Sequence, residues 1–147
     1  MTIRFFGENT LDDVSIRFVR GHTGLYFVYL VSISIPYPFR SSRLIYIGMS
    51  ESKQNTIGNR LRDHKSGQSG NAGLTNYIST RDVRFTYLAF EILEALGANS
   101  VAELESLFLT NFLCRHGSYP ICNNQAGAEV KPGLNQKHIV VDWTFFD

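Results

Sequence analysis

Alternating apolar positions mark three strands in the middle of the chain. From Gly24 to Ile35, one face carries Leu25, Phe27, Tyr29, Val31, Ile33 and Ile35, and the other carries Tyr26, Val28 and Leu30. Apolar residues on both faces predict a central strand covered on each side. Pro36-Tyr37-Pro38 ends it, because proline has no N–H to give a ladder. Leu44 to Gly48 is the next strand, an antiparallel partner reached through a long connection. Val83 to Leu93 is the third, with Phe85, Tyr87 and Ala89 alternating against Thr86, Leu88 and Phe90. Shorter strands are expected at 2–7, at 14–20, where Val14, Ile16 and Phe18 alternate with polar residues, and at 139–146.

Between these strands the apolar period becomes helical. Asn55 or Thr56 caps a helix over about 57–65, in which Ile57 and Leu61 face the core. Arg60 and His64 are also four apart and share a neighbouring face. Residues 66–73 form a flexible loop, followed by a short helix near 73–79. Ser100-Val-Ala-Glu103 is a capping box. It opens a helix that runs to about Arg115 and ends near Gly117, with Val101, Leu104, Phe108 and Phe112 as its buried stripe. Glu105 falls inside that stripe, between Val101 and Leu109, while Glu103 lies on the polar side with Thr110. Residues 120–136 read as loop. The expected fold is α+β, an α/β sandwich: a small central antiparallel β-sheet of about three core strands flanked by helices, with extra N- and C-terminal strands.

The 147 residues, 44% of them apolar, suit a single domain, 1–147, with one core. No apolar run reaches the ~18 residues a transmembrane helix needs, and Met1–Phe6 is too short and too polar-flanked for a signal peptide. Two cysteines, Cys114 and Cys122, without a secretory signal point to a reducing, cytoplasmic setting with both thiols half-buried. A lone cysteine pair lacks the further ligands of a zinc site. Net charge is +1, from 14 basic and 13 acidic residues, which neither supports nor excludes nucleic acid. Basic residues do gather locally, as Arg60, Arg62, His64 and Lys65, with Arg40 and Arg43 ahead of the second strand.

Glu105 is the most telling single position. A carboxylate on an apolar helix face is costly unless it is paired, protonated or bound to a cation. It is either a hard-metal ligand, with Mg²⁺ completed by waters and phosphate oxygens, or a flank residue paired with an arginine. Arg60 can fork onto a phosphate and stabilise charge that grows in a transition state, and His64 one turn away can relay a proton. The plain alternative is an exposed helix face. Tyr26 and Tyr46 stand on adjacent strands, either meeting beside Arg60 or packing as ordinary strand aromatics. A phenol ionises near pH 10 and is a poor base until positive charge lowers that value. Gly48 either lets a ligand approach the backbone or serves a turn.

In this order the residues resemble the GIY-YIG nuclease family. The match runs through Gly24-Leu25-Tyr26, then Tyr46-Ile47-Gly48 followed by Ser50, then Arg60-x-x-x-His64, then Glu105-Ser-Leu-Phe-Leu, and finally Asn123 in Pro-Ile-Cys-Asn, covering about 24–124. Leucine replaces isoleucine in the first tripeptide. The tyrosines are 20 apart, wider than in the minimal domain and reminiscent of restriction-type members. The resemblance implies an endodeoxyribonuclease using Mg²⁺ or Mn²⁺, with no organic cofactor. It implies that Glu105 binds the metal, that Arg60 steadies the transition state and that Tyr26 or Tyr46 activates water. His64 would accept the proton, and Asn123 would position the network, with Asn124 as the neighbouring alternative. The implied partner is DNA, with 1–23 and 125–147 as candidates for dimerisation or DNA contact. The biological settings it leaves open are a restriction-like enzyme, a phage or mobile-element nuclease and a structure-specific repair or recombination nuclease. A catalytically silent nucleic-acid-binding module is the reading from another class, and the filled catalytic positions favour an enzyme over it.

Overall fold

The structure, a computed structural model, describes residues 1–95, 97, 100–123 and 139–147. Its centre is a four-stranded antiparallel sheet in the order β2 (Asn9–Thr10), β5 (Val83–Ala89), β3 (Gly24–Leu30), β4 (Leu44–Ser50). The central strand β3 is buried along its whole length, as its two apolar faces demand. Leu25, Phe27 and Tyr29 pack with Leu104, Phe108 and Phe112 of α5 (Val101–His116). Tyr26, Val28 and Leu30 pack on the other side against α1 (Asp13–Phe18), α2 (Ile57–Ser66) and α3 (Ala72–Thr80). The fold is α+β, with helices covering both faces of the sheet. Among the described residues no helix is long and apolar enough to cross a membrane.

Several elements differ from the expectations. The segment 14–20 is the helix α1, not a strand. Asp12 caps it by accepting a hydrogen bond from the Ser15 N–H, and Ile16 and Val19, three apart, are the buried pair. Val14 and Phe18, which made the alternation look strand-like, are 62% and 77% exposed. β3 stops at Leu30, and Ile35 keeps only an isolated bridge to Ser42. β5 stops at Ala89, opposite Gly24 where its partner begins, and the chain turns into α4 (Phe90–Glu94). Of 2–7, only β1 (Thr2–Ile3) is a strand, and it pairs in parallel with β6 (Val140–Val141) rather than joining the main sheet. A 3₁₀ turn, Trp143–Phe146, follows β6 and seats Trp143 and Phe146 in the α5-side core. Arg43 ties that end down, donating to the carbonyls of Phe145 at 2.6 Å, Asp147 at 3.1 Å and Leu30 at 3.3 Å. The cysteines are free, but Cys114 is exposed and Cys122 buried, so neither is half-buried. The predicted loop 120–136 is described only as far as Asn123, and Asn124 lies outside the described residues.

Candidate active site

The two tripeptides lie side by side on β3 and β4, with Tyr26 opposite Gly48 and Val28 opposite Tyr46. Strict alternation along β4 would put Tyr46 on the same face as Leu44, which belongs to the α5-side core. A β-bulge prevents this. The register skips from Val28–Tyr46 to Tyr29–Leu44 and leaves Ile45 as the extra residue. Ile45 and Tyr46 therefore both face α2, and Tyr46 joins Tyr26. Their ring centroids are 5.9 Å apart. Gly48 makes room for this: a Cβ there would overlap the ring and hydroxyl of Tyr26. Gly24, at φ +139, sits where a Cβ would overlap the Leu88 carbonyl of β5.

α2 supplies the next pair. Thr56 caps it by accepting from the Asn59 N–H at 3.3 Å. Ile57 and Leu61 are fully buried against the sheet, which turns His64, one further step along the same stripe, inward. His64 is 4% exposed. Its Nε2 lies 2.9 Å from the Tyr26 hydroxyl and its Nδ1 2.8 Å from the Ser69 hydroxyl. The Tyr46 and His64 rings meet edge to face at 5.1 Å. Arg60 is half-buried on the flank of the same helix, and among the described residues its buried Nε has no hydrogen-bond partner. Tyr46, Arg60 and His64 open on a cleft of about 400 Å³, which Asn55, Asp63, Ser69, Gly70 and Asn71 also line.

Burial dominates the electrostatics. It raises the ionisation of Tyr26 well above the usual phenol range, and the nearby Tyr46 adds to this while the Arg60 charge opposes it. Burial likewise raises Tyr46. Arg60 is cationic, as a guanidinium is at any working pH; burial opposes its charge, while Tyr26, Tyr46 and Glu105 beside it act the other way and raise its pKa. Burial and then the Arg60 charge push His64 down to about 4 from 6.5, so at neutral pH it is an uncharged imidazole and a proton acceptor.

This predicts a pH dependence of stability. The unfolded chain binds a proton at His64 that the folded chain refuses between pH 6.5 and about 4. The stability is complete above that window and is lost as pH falls through it. Roughly 2 kcal/mol should disappear between pH 7 and pH 5 from this residue. Urea unfolding of wild type and His64→Gln at both pH values checks it. The variant should lose that much less, since the other buried histidine, His116, shifts in the same direction and is common to both. Equal losses would mean that His64 is accessible to protons in the folded protein.

Glu105 does not line the cleft. It stands beside it on α5, half-buried, its pKa raised by burial against the opposing charge of Arg60, with Glu51 adding a smaller push upward. Among the described residues no group of three or more His, Cys, Asp or Glu is arranged to hold a metal ion. A single half-buried carboxylate beside a polar cleft fits a hard cation that keeps waters and takes substrate oxygens, and it does not fit an all-protein cage. Asn123 also lies outside the cleft. Its amide accepts from the Ile47 N–H at 3.0 Å and donates to the Ile47 carbonyl at 2.9 Å, while the Cys122 N–H donates to the Ile45 carbonyl at 2.8 Å. It thus completes the open edge of β4 like a short strand and holds the bulge that aims Tyr46.

The structure therefore gathers Tyr26, Tyr46, Arg60 and His64, sets Glu105 beside them within reach of the Arg60 charge, and gives Asn123 to the main chain. Two further residues belong to the surroundings of the site without a signal in the sequence: Ser69, in the loop after α2, and Glu51, which accepts from the Ala102 N–H at the start of α5 at 3.0 Å. A serine five residues after a histidine carries no signal by itself. Comparison with family models, curated proteins and solved structures finds no match.

Proposed function

We propose that this protein is a divalent-metal-dependent endodeoxyribonuclease of the GIY-YIG kind, working in the cytoplasm. The observation that carries the reading is the cluster of Tyr46, His64 and Arg60 on one cleft with Tyr26 buried behind them: two phenols, a neutral imidazole and a cation whose buried Nε–H has no partner among the described residues. A phosphodiester presents the anionic oxygens that such an arginine forks. Tyr46, the phenol that lines the cleft, meets the attacking water and takes its proton as its own passes through the fully buried Tyr26 hydroxyl to neutral His64. Arg60 meets charge that develops on the phosphate oxygens, from a half-buried position fixed on α2. Glu105 would hold Mg²⁺ or Mn²⁺, which when bound supplies further neutralisation of phosphate charge and lowers the ionisation of nearby phenol and water. Asn123 keeps β4, and with it Tyr46, in register.

The test is nicking of supercoiled plasmid with Mg²⁺, with Mn²⁺ and with chelator. Wild type should nick only with metal, and Glu105→Ala should lose at least ~10²-fold in rate at unchanged thermal stability. Cleavage in chelator, or full activity of Glu105→Ala, would defeat the metal assignment. No cleavage of any DNA form by the wild type would defeat the nuclease reading.

A further inference from the structure

We propose that Ser69 is a positioning residue of this site, whose hydroxyl holds His64 in the tautomer that leaves Nε2 free to accept from the Tyr26 phenol. A neutral imidazole has one N–H and one bare nitrogen. His64 is 4% exposed and Tyr26 is not exposed at all, so neither has bulk water as an alternative partner. The Tyr26 hydroxyl must donate its hydrogen, and His64 Nε2 stands 2.9 Å away. If Nε2 accepts, the ring's hydrogen is on Nδ1 and must be accepted in turn. The Ser69 hydroxyl, 2.8 Å from Nδ1, does so. An ordering of donors follows, from Tyr26 to His64 to Ser69.

The loop is built to keep that hydroxyl in place. Ser69 N–H donates to the Asp63 carbonyl of α2 at 3.2 Å, and the Asn71 N–H donates to Ser69 Oγ at 3.2 Å. Asn71 in turn caps α3, accepting from the Leu74 N–H at 3.1 Å, and donates to the Cys122 carbonyl at 3.0 Å. One stretch, 69–71, therefore ties α2, α3 and the strand-like segment beside β4 together. Ser69 Oγ already accepts from the Asn71 N–H and keeps a second lone pair for a hydrogen on Nδ1, so its own hydrogen is free to turn toward the cleft it lines. When His64 takes the phenol proton, the O–H bond of Tyr26 breaks and Nε2–H forms. Nδ1–H stays bonded to Ser69 throughout, so the ring need not turn. A histidine held by its second nitrogen in this way is oriented and made more basic at the first.

The kinetic consequence rests on the nuclease reading; the tautomer does not. Long-range ¹H–¹⁵N spectra at neutral pH, with His64 assigned by comparison with His64→Gln, read it directly. Wild type should show a protonated Nδ1 and a bare Nε2. Ser69→Ala should show a mixture or the opposite tautomer, and Ser69→Thr should restore the wild-type pattern. A wild type protonated at Nε2, or an unchanged tautomer in Ser69→Ala, overturns the proposal. In plasmid cleavage, Ser69→Ala should lower kcat roughly 10- to 100-fold with KM within twofold, and Ser69→Thr should recover most of it. A wild-type rate in Ser69→Ala would also overturn it. A wild type that cuts no DNA yet shows the Nδ1–H tautomer, lost in Ser69→Ala, would remove the nuclease reading and leave the positioning role standing.

Discussion

Arg60→Ala is expected to lower the single-turnover rate of DNA cleavage by roughly 10³-fold or more while leaving the protein folded. The size follows from where the charge sits. Arg60 is anchored on α2 beside the buried Ile57–Leu61 face and stands near Tyr26, Tyr46 and Glu105, a permanent cation despite its partial burial. A half-buried cation, with a buried Nε–H that no described group accepts, is placed to meet an anionic oxygen. The reorganisation that water would need has been done by folding. Alanine removes both charge and fork. Arg60→Lys keeps the charge without the planar pair of donors and should recover only part of the rate. A second readout is independent of cleavage. The Arg60 charge is one of the causes that depress His64, so its removal should raise the His64 pKa above its present value of about 4, measured by NMR titration. Cleavage within tenfold of wild type in Arg60→Ala would sink the transition-state role.

How far such a site is legible in the chain depends on whether a local period or a three-dimensional accident places each residue. Tyr26 is legible because β3 is regular: its two faces separate cleanly, and the structure keeps Leu25, Phe27 and Tyr29 on one and Tyr26, Val28 and Leu30 on the other. Arg60 and His64 are legible because helical spacing and the Thr56 cap are local signals. The capping box at Ser100 likewise places α5, and with it the anomaly of Glu105. Tyr46 is different. Leu44, Tyr46 and Gly48 alternate without any break, so nothing in β4 announces the bulge that turns Tyr46 toward α2. Its cause lies in the partner strand and in the Cys122–Asn123 segment on the other edge, more than 70 residues away in sequence. α1 resembles a strand in sequence because Val14, Ile16 and Phe18 satisfy a period of two, while the deciding contacts are the Asp12 cap and the packing of Ile16 and Val19 on α2's side of the sheet. Ser69 is invisible for a third reason. Its role comes from the path of a glycine-rich loop, which returns the serine to the ring that precedes it.

Gly48→Ala should disable the site through one methyl group, with cleavage falling roughly 10²-fold and stability by about 1–3 kcal/mol. Gly48 faces Tyr26 directly across the ladder, and a Cβ there would overlap Cζ, Cε2 and the hydroxyl of that ring. The ring has little freedom to yield. It is fully buried, it packs beside Tyr46 at 5.9 Å and His64 at 6.0 Å, and its hydroxyl is held by His64. Alanine must therefore push either Tyr26 off His64 or β4 away from β3, and both lose the donor sequence that ends at Ser69. A double-mutant cycle separates the two consequences. Tyr26→Leu shortens the side chain that the new methyl group meets, so Gly48→Ala should cost little further stability in a Tyr26→Leu background. Cleavage should stay low in that double variant, because the phenol is gone. Additive losses of stability would mean that Gly48 serves the β4 backbone and not the Tyr26 ring. Wild-type cleavage by Gly48→Ala would mean that the ring has more room than its neighbours allow.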